Sequence, residues 1–137
     1  MTDAEISDIL QTVKTIALVG ASDNPARPSH GVMAYLLARG YQVYPVNPAL
    51  AGKTILGQTV YGTLAEIPAK IDMVDVFRRA EAVYDLTQEA IAIDAGVLWL
   101  QLGIINEQAA VLAKNVGMKV VMDRCPKIEI PRLGLDR

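Results

Sequence analysis

A single cysteine in 137 residues, Cys125, excludes an internal disulfide, and a single histidine, His30, leaves no cluster of soft ligands for a structural zinc site. The same scarcity gives Ser-His-Asp and Cys-His nucleophile systems very few ways to form. No apolar run approaches the ~18 residues needed to cross a bilayer, so a soluble protein with no membrane partner is expected. Nor is there a run of lysines and arginines. Both signs are spread along a chain of net charge −2, which argues against a nucleic-acid partner and requires any bound anion to be met locally. The opening segment, Met1 to Gln11, carries Asp3, Glu5 and Asp8 and lacks the basic-then-apolar order of a secretion signal, so a cytoplasmic location is expected. Repeats, low-complexity stretches and linkers are absent. One domain over residues 1–137 is therefore expected, of a size that buries roughly 68% of its unfolded surface. With 52% hydrophobic residues, a homodimer would be one way to hide apolar surface.

What is present is an alternation of short apolar runs and helical spacings. Ile16 to Val19 is too short for a helix and is closed by Gly20, which reads as a strand buried on both faces. Ala21 to Pro28 holds Asn24, Pro25 and Pro28 and reads as a loop, with Ser29 placed to cap a helix that runs to Arg39 and stops at Gly40. Gln42 to Val46 is a second strand, ending in Asn47-Pro48 and followed by an irregular stretch from Ala49 to Gly57. Thr59 to Tyr61 reads as a short edge strand, and Thr63 to Glu66 has the spacing of a capping box. Met73 to Phe77 is the next strand. Val83, Leu86, Ala90, Ile91 and Ile93 keep helical spacing up to the stop at Gly96. Val97 to Leu102 is a strand, Asn106 to Asn115 a helix stopped by Gly117, and Met118 to Met122 a last buried strand.

Such alternation predicts an α/β fold: a doubly wound, mainly parallel, Rossmann-like sheet of about five or six strands with helices on both faces. In these sheets ligands sit outside the carboxyl ends of the strands, where the strand order reverses. Gly20 lets the chain turn tightly there, small Ala21 and Ser22 let a bulky anion approach the backbone, and amides near Ser29 and His30 would point at it with the helix dipole. Ser22 and Ser29 add hydroxyls, and Arg27 a planar fork suited to phosphate. His30 could donate to a phosphate oxygen or simply cap the helix. The loop lacks a G-x-G-x-x-G spacing, so an ordinary strand-to-helix turn is the competing reading.

At the end of the second strand an NAD domain usually places an acid on the ribose hydroxyls, and here the residue is Asn47. A neutral amide, with Lys53 a few residues on, admits a phosphorylated ribose, which favours CoA or NADP over NAD. Of Arg78 and Arg79, one is expected to reach the crevice and the other to face solvent. Arg124 beside Cys125 could lower the thiol pKa and make it reactive, but an inert, half-buried cysteine is the expectation.

Five ordered motifs together carry a resemblance: Val19-Gly20-Ala21-Ser22, Gly40 through Pro48, Asp72 through Arg78, Trp99 through Gly103, and Asp123-Arg124-Cys125-Pro126. The chain resembles the small bacterial CoA-binding proteins, a family that looks like a free-standing CoA-binding domain of the succinyl-CoA synthetase alpha subunit. The resemblance implies coenzyme A or an acyl-CoA as the small-molecule ligand, with Gly20, Ala21 and Ser22 facing its pyrophosphate and Arg27 and Ser29 nearby. It implies an adenosine side at Asn47, Pro48 and Lys53, a nucleotide border at Phe77 and Arg78, and a neighbouring strand end at Gln101 to Gly103. Ligase activity is not implied, since the synthetase's second domain with its phosphorylated histidine has no counterpart here and His30 lies in the cofactor loop.

The leading expectation is a CoA or acyl-CoA binding module, a sensor or accessory subunit, without catalysis of its own. An NADP-dependent or acyl-CoA-processing enzyme using Cys125 or a carboxylate is the alternative, and an interaction protein with a vestigial pocket is a third.

Overall fold

The computed structural model describes residues 1–136; Arg137, the last residue of the expected domain span, lies outside the described residues. The chain runs α1 (Asp3–Thr12), β1 (Thr15–Val19), α2 (Pro28–Ala38), β2 (Gln42–Val46), β3 (Thr54–Ile55), β4 (Gln58–Thr59), β5 (Met73–Val76), α3 (Val83–Ala92), β6 (Val97–Leu100), α4 (Glu107–Lys114), β7 (Lys119–Val121) and α5 (Pro126–Arg132). Five strands form one parallel sheet in the order β2-β1-β5-β6-β7, a doubly wound Rossmann-like α/β arrangement.

Successive strand residues point to opposite faces, and both faces are covered. Ile16, Leu18, Met73, Val97 and Trp99 face α1, α2 and α5, where they meet Ile6, Ile9, Val32, Met33, Leu36 and Ile130. Ala17, Val19, Val74, Val76, Leu98 and Leu100 face α3 and α4 and meet Val83, Leu86, Ala90, Ala109 and Ala113. Burial on both faces explains why these strands read as continuous apolar runs.

Several local expectations are corrected. α2 opens one residue before Ser29, with Arg27 at the N-cap and Pro28 in the first turn, because proline arrives with helical φ and has no amide to leave unpaired. Ser29 is therefore inside the helix and buried rather than its cap. The edge strand expected at Thr59–Tyr61 is divided. Gln58–Thr59 pairs antiparallel with Thr54–Ile55 across a Leu56-Gly57 turn whose two positive φ angles suit a hairpin, and Tyr61 makes a lone bridge to Val46. At Thr63–Glu66 the capping box does not close: Thr63 makes no side-chain cap, and Glu66 accepts instead from the Gly62 amide.

Two helices complete the α2 face. At the start of α1, Thr2 and Glu5 form a reciprocal capping box. α5 is tied to α1 by Arg132, whose guanidinium donates to both Asp3 and the buried Glu129.

One charge-bearing side chain lies in the sheet centre. Asp75 stands between Leu18 and Trp99 in register, is fully buried, and neither carboxyl oxygen has a hydrogen-bond partner among the described residues. Burial pushes its carboxyl well above the usual range, so the neutral acid is the folded form. An acid with a raised folded-state pKa contributes stability that is present below its unfolded pKa and is lost as pH rises toward the folded value. Stability of the native chain is therefore expected to fall from pH 5 to pH 8, at no more than about 1.4 kcal/mol per pH unit from this group. Asp75→Leu is expected to be the more stable protein at pH 8 and to lose that slope, as read by urea denaturation at the two pH values.

Candidate functional site

The strand order reverses at β1. The chain leaves β1 for β2 on one side and returns through β5 on the other, so the connections diverge and leave the carboxyl ends of β1 and β5 uncovered. An open cleft of about 700 Å³ lies there, within the range of small-molecule sites. Each strand end in spatial order supplies lining: Asn47 after β2, Gly20, Ala21 and Ser22 after β1, Phe77 to Arg79 after β5, Gln101 and Leu102 after β6, and Cys125 after β7. Arg27, Pro28, Ser29 and Val32 form the wall made by α2 and its approach.

The turn out of β1 requires glycine. Gly20 has φ +88°, and a Cβ there would be driven into the Phe77 carbonyl, so β1 and β5 approach closely only without a side chain. The amides of Gly20 and Ala21 both donate to Val46 O, at 3.0 and 3.3 Å, and His30 N donates to Arg27 O. The backbone donors left for a ligand are thus those of Ser22, Asp23 and Ser29, which have no hydrogen-bond partner among the described residues. The Ser22 hydroxyl accepts from Asn24 N at 3.0 Å, and Asn24 in turn accepts from Ala26 N, which shapes the loop that presents Arg27.

Asn47 has a structural reason to be an amide. Its Nδ2 donates to Ala21 O at 2.8 Å while its Oδ1 accepts from Ala49 N at 2.9 Å, so it joins the turn after β2 to the loop after β1. A carboxylate could not donate to Ala21 O and would set two acceptors against each other.

The lining carries three arginines, Arg27, Arg78 and Arg79, and no aspartate or glutamate. In a chain with a surplus of acids this is a local concentration of positive charge. Arg78 and Arg79 both contribute to the lining, and the Arg79 side chain is 89% exposed, in line with the expectation that one of the pair faces solvent. Arg79 lies 3.8 Å from Glu81 in an exposed pair, whereas Arg27 and Arg78 have no ion-pair partner among the described residues. Arg124 pairs with the buried Glu129 at 3.2 Å, and Cys125, expected to be half-buried, is buried at 7% exposure.

Four sequence-predicted residues do not line the cleft. His30 follows Ser29 in α2. Pro48 and Lys53 are exposed in the segment beyond Asn47 that leads to the β3–β4 hairpin. Gly103 gives its amide to Asp123 Oδ1 at 2.7 Å, fastening the loop after β6 to the loop after β7. Val32 and Ile104 line the cleft and were missed by sequence reasoning. Val32 was within reach of it, one helical turn beyond Ser29.

A second hollow, about 480 Å³, lies at the opposite sheet edge between Asp72, Asp94, Lys70 and Lys119. It has mixed charge and sits at the amino ends of the strands, where this architecture does not place ligands.

A family model for a CoA binding domain matches residues 14–131. The chain is 43% identical to YneT of Bacillus subtilis (strain 168) over 125 residues, 91% of each chain. It superposes on a hypothetical protein from Pyrococcus horikoshii OT3 with a TM-score of 0.93 at 41% identity, covering 97% of this chain and 92% of that one. It is also 27% identical over 122 residues to the alpha subunit of an ADP-forming acetate–CoA ligase from Pyrococcus furiosus, covering 79% of this chain and 26% of that subunit. With that match spanning nearly all of the sheet and its helices, the chain belongs to the CoA-binding domain family related to the CoA ligase subunits.

Proposed function

We propose that the protein binds coenzyme A, or an acyl-CoA, along this cleft, and that binding rather than chemistry is its activity. The observation that carries the reading is a cleft at the strand-order reversal with three arginines and no carboxylate. A CoA molecule brings a diphosphate and a phosphorylated ribose, which need such charge and little else. The small residues Gly20, Ala21 and Ser22 let the diphosphate approach, the free amides of Ser22 and Ser29 and the guanidinium of Arg27 meet its oxygens, and Arg78 adds a second fork beside Phe77. The turn at Asn47 and Pro48 takes the adenosine side, with Lys53 available to the ribose phosphate and His30 to the diphosphate. Gln101 and the loop through Gly103 border the far end. The similarity to a ligase subunit named for CoA supports the same ligand.

Titration calorimetry with CoA, dephospho-CoA, NAD and NADP tests this. CoA is expected to bind, dephospho-CoA to bind about tenfold more weakly for want of one charge-assisted contact, and affinity to fall with added salt. Binding of NADP with no response to CoA would overturn the reading in favour of a dinucleotide enzyme.

Arg27→Ala and Arg78→Ala should each weaken CoA by about five- to thirtyfold while leaving the thermal transition in place. Equal affinity in both variants would move the phosphates elsewhere. Asn47→Asp is expected to lower both affinity and stability, the latter by about 1–3 kcal/mol, because it removes the donor to Ala21 O and adds a negative charge beside the cleft. Urea denaturation and calorimetry on the same sample separate the two effects.

A further inference from the structure

The lining of the cleft divides by chemistry. Arg27, Arg78 and Arg79 supply its charge from the β1 loop and the end of β5, whereas the loop after β6 brings Leu102 and Ile104 and no charged side chain before Glu107. Leu102 is 56% exposed although it lines the cleft, and Ile104 is only partly buried against the α3–α4 side of the core. The half-buried ring of Phe77, at the end of the neighbouring strand, carries the apolar lining up to the residue before Arg78.

This loop is fixed at both ends. Gly103 N donates to Asp123 Oδ1 at 2.7 Å and Ile104 N donates to Gln101 O at 3.0 Å. Asn106 caps α4 by accepting from Ala109 N, and its Nδ2 donates to Ala80 O at 3.0 Å. The last bond ties the loop to the segment that follows Arg79, so the apolar residues and the arginines keep a set spacing. Leu102 cannot gain burial by a shift of the loop without breaking these bonds. Covering its side chain with an apolar group stabilises a complex in proportion to the area removed from water.

We propose that the loop after β6 is an acyl subsite, and that the ligand of the cleft is an acyl-CoA with an apolar acyl chain in preference to free CoA; this rests on the CoA reading above. With its phosphates held by Arg27 and the β1 loop, the ligand's arm runs past the end of β5 toward β6, two strand spacings or about 10 Å away. The group on its sulfur then meets Leu102 and Ile104. A hydrocarbon chain suits this end because it needs no hydrogen bond and no counter-charge, and the amides of Gly103 and Ile104 are already used. The extent of the surface favours a ligand over a protein partner. Ile105 is exposed as well, but exposed Glu107 and Gln108 follow directly, and Arg78 and Arg79 stand on the β5 side. A few side chains inside such a polar border fall well short of the ~800 Å² that each side of a stable protein interface covers, and match a chain of several carbons.

Titration calorimetry of the full chain with CoA, acetyl-CoA, butyryl-CoA and hexanoyl-CoA tests this. Affinity is expected to rise about two- to fourfold with each added CH2, so that hexanoyl-CoA binds at least about tenfold more tightly than acetyl-CoA. Leu102→Asn, at an exposed position, is expected to keep the thermal transition and to reduce that ratio to about two or less. Ile105→Asn, exposed on the same loop but outside the cleft lining, should leave the ratio as it is. Arg78→Ala should weaken CoA and hexanoyl-CoA by the same factor, because charge and acyl chain are read at separate places. Equal affinity for acetyl-CoA and hexanoyl-CoA overturns the acyl subsite and leaves CoA binding intact. A dimer in sedimentation that Leu102→Asn dissolves overturns it too, by assigning the loop to a second copy of the chain. Should none of the four compounds bind, the subsite falls together with the reading on which it rests.

Discussion

The structure depends on one packing constraint, the close parallel approach of β1 and β5 at the point where strand order reverses. Gly20 makes it tolerable, since only a residue without Cβ can stand against the Phe77 carbonyl at a positive φ. Because the chain departs from β1 toward β2 and comes back on the far side, no connection crosses this gap. Everything placed at the cleft follows from that gap: the loop with Ser22 and Arg27, the start of α2, and the arginines after β5. A functional site here needs no special element, only residues at the ends of strands that the core already fixes.

Asn47 shows how a structural need and an electrostatic one meet in a single residue. As a donor to Ala21 O and an acceptor from Ala49 N, it holds two strand-end loops in register with each other. The same neutrality keeps negative charge out of a cleft whose charged lining is entirely arginine. Sequence reasoning treated the missing acid as a mark of ligand preference, and the geometry adds that an acid would also have disrupted the scaffold.

The parallel sheet was legible because its strands are buried on both faces and so stand out as unbroken apolar runs between glycines. Helix ends were less so. Ser29 looked like a cap because serine is a good one, but Pro28 starts the helix earlier and carries Ser29 into the wall of the cleft. α5 escaped notice because it is a seven-residue helix containing Pro126 and Pro131, too short and too rich in proline for periodicity to register. α1 carried its own signal in Thr2 and Glu5 followed by Ile6, Ile9 and Leu10, but its acidic residues drew attention to what the segment was not. Most candidate site residues were legible because they follow strand ends. Lys53 was not, since its position depends on the β3–β4 hairpin, whose two-residue strands are too short to read.

The lining also constrains what chemistry the cleft can perform. Arginine keeps its proton at any working pH, so the lining's Arg27, Arg78 and Arg79 supply charge and hydrogen-bond donors rather than proton exchange. No carboxylate lines the site, and the one histidine lies outside the lining. Asp75, the one buried acid of β5, is turned into the core beside Trp99 and belongs to the sheet rather than to the cleft. The lining therefore offers fixed positive charge and small residues at the strand ends, and its one thiol, Cys125, is buried.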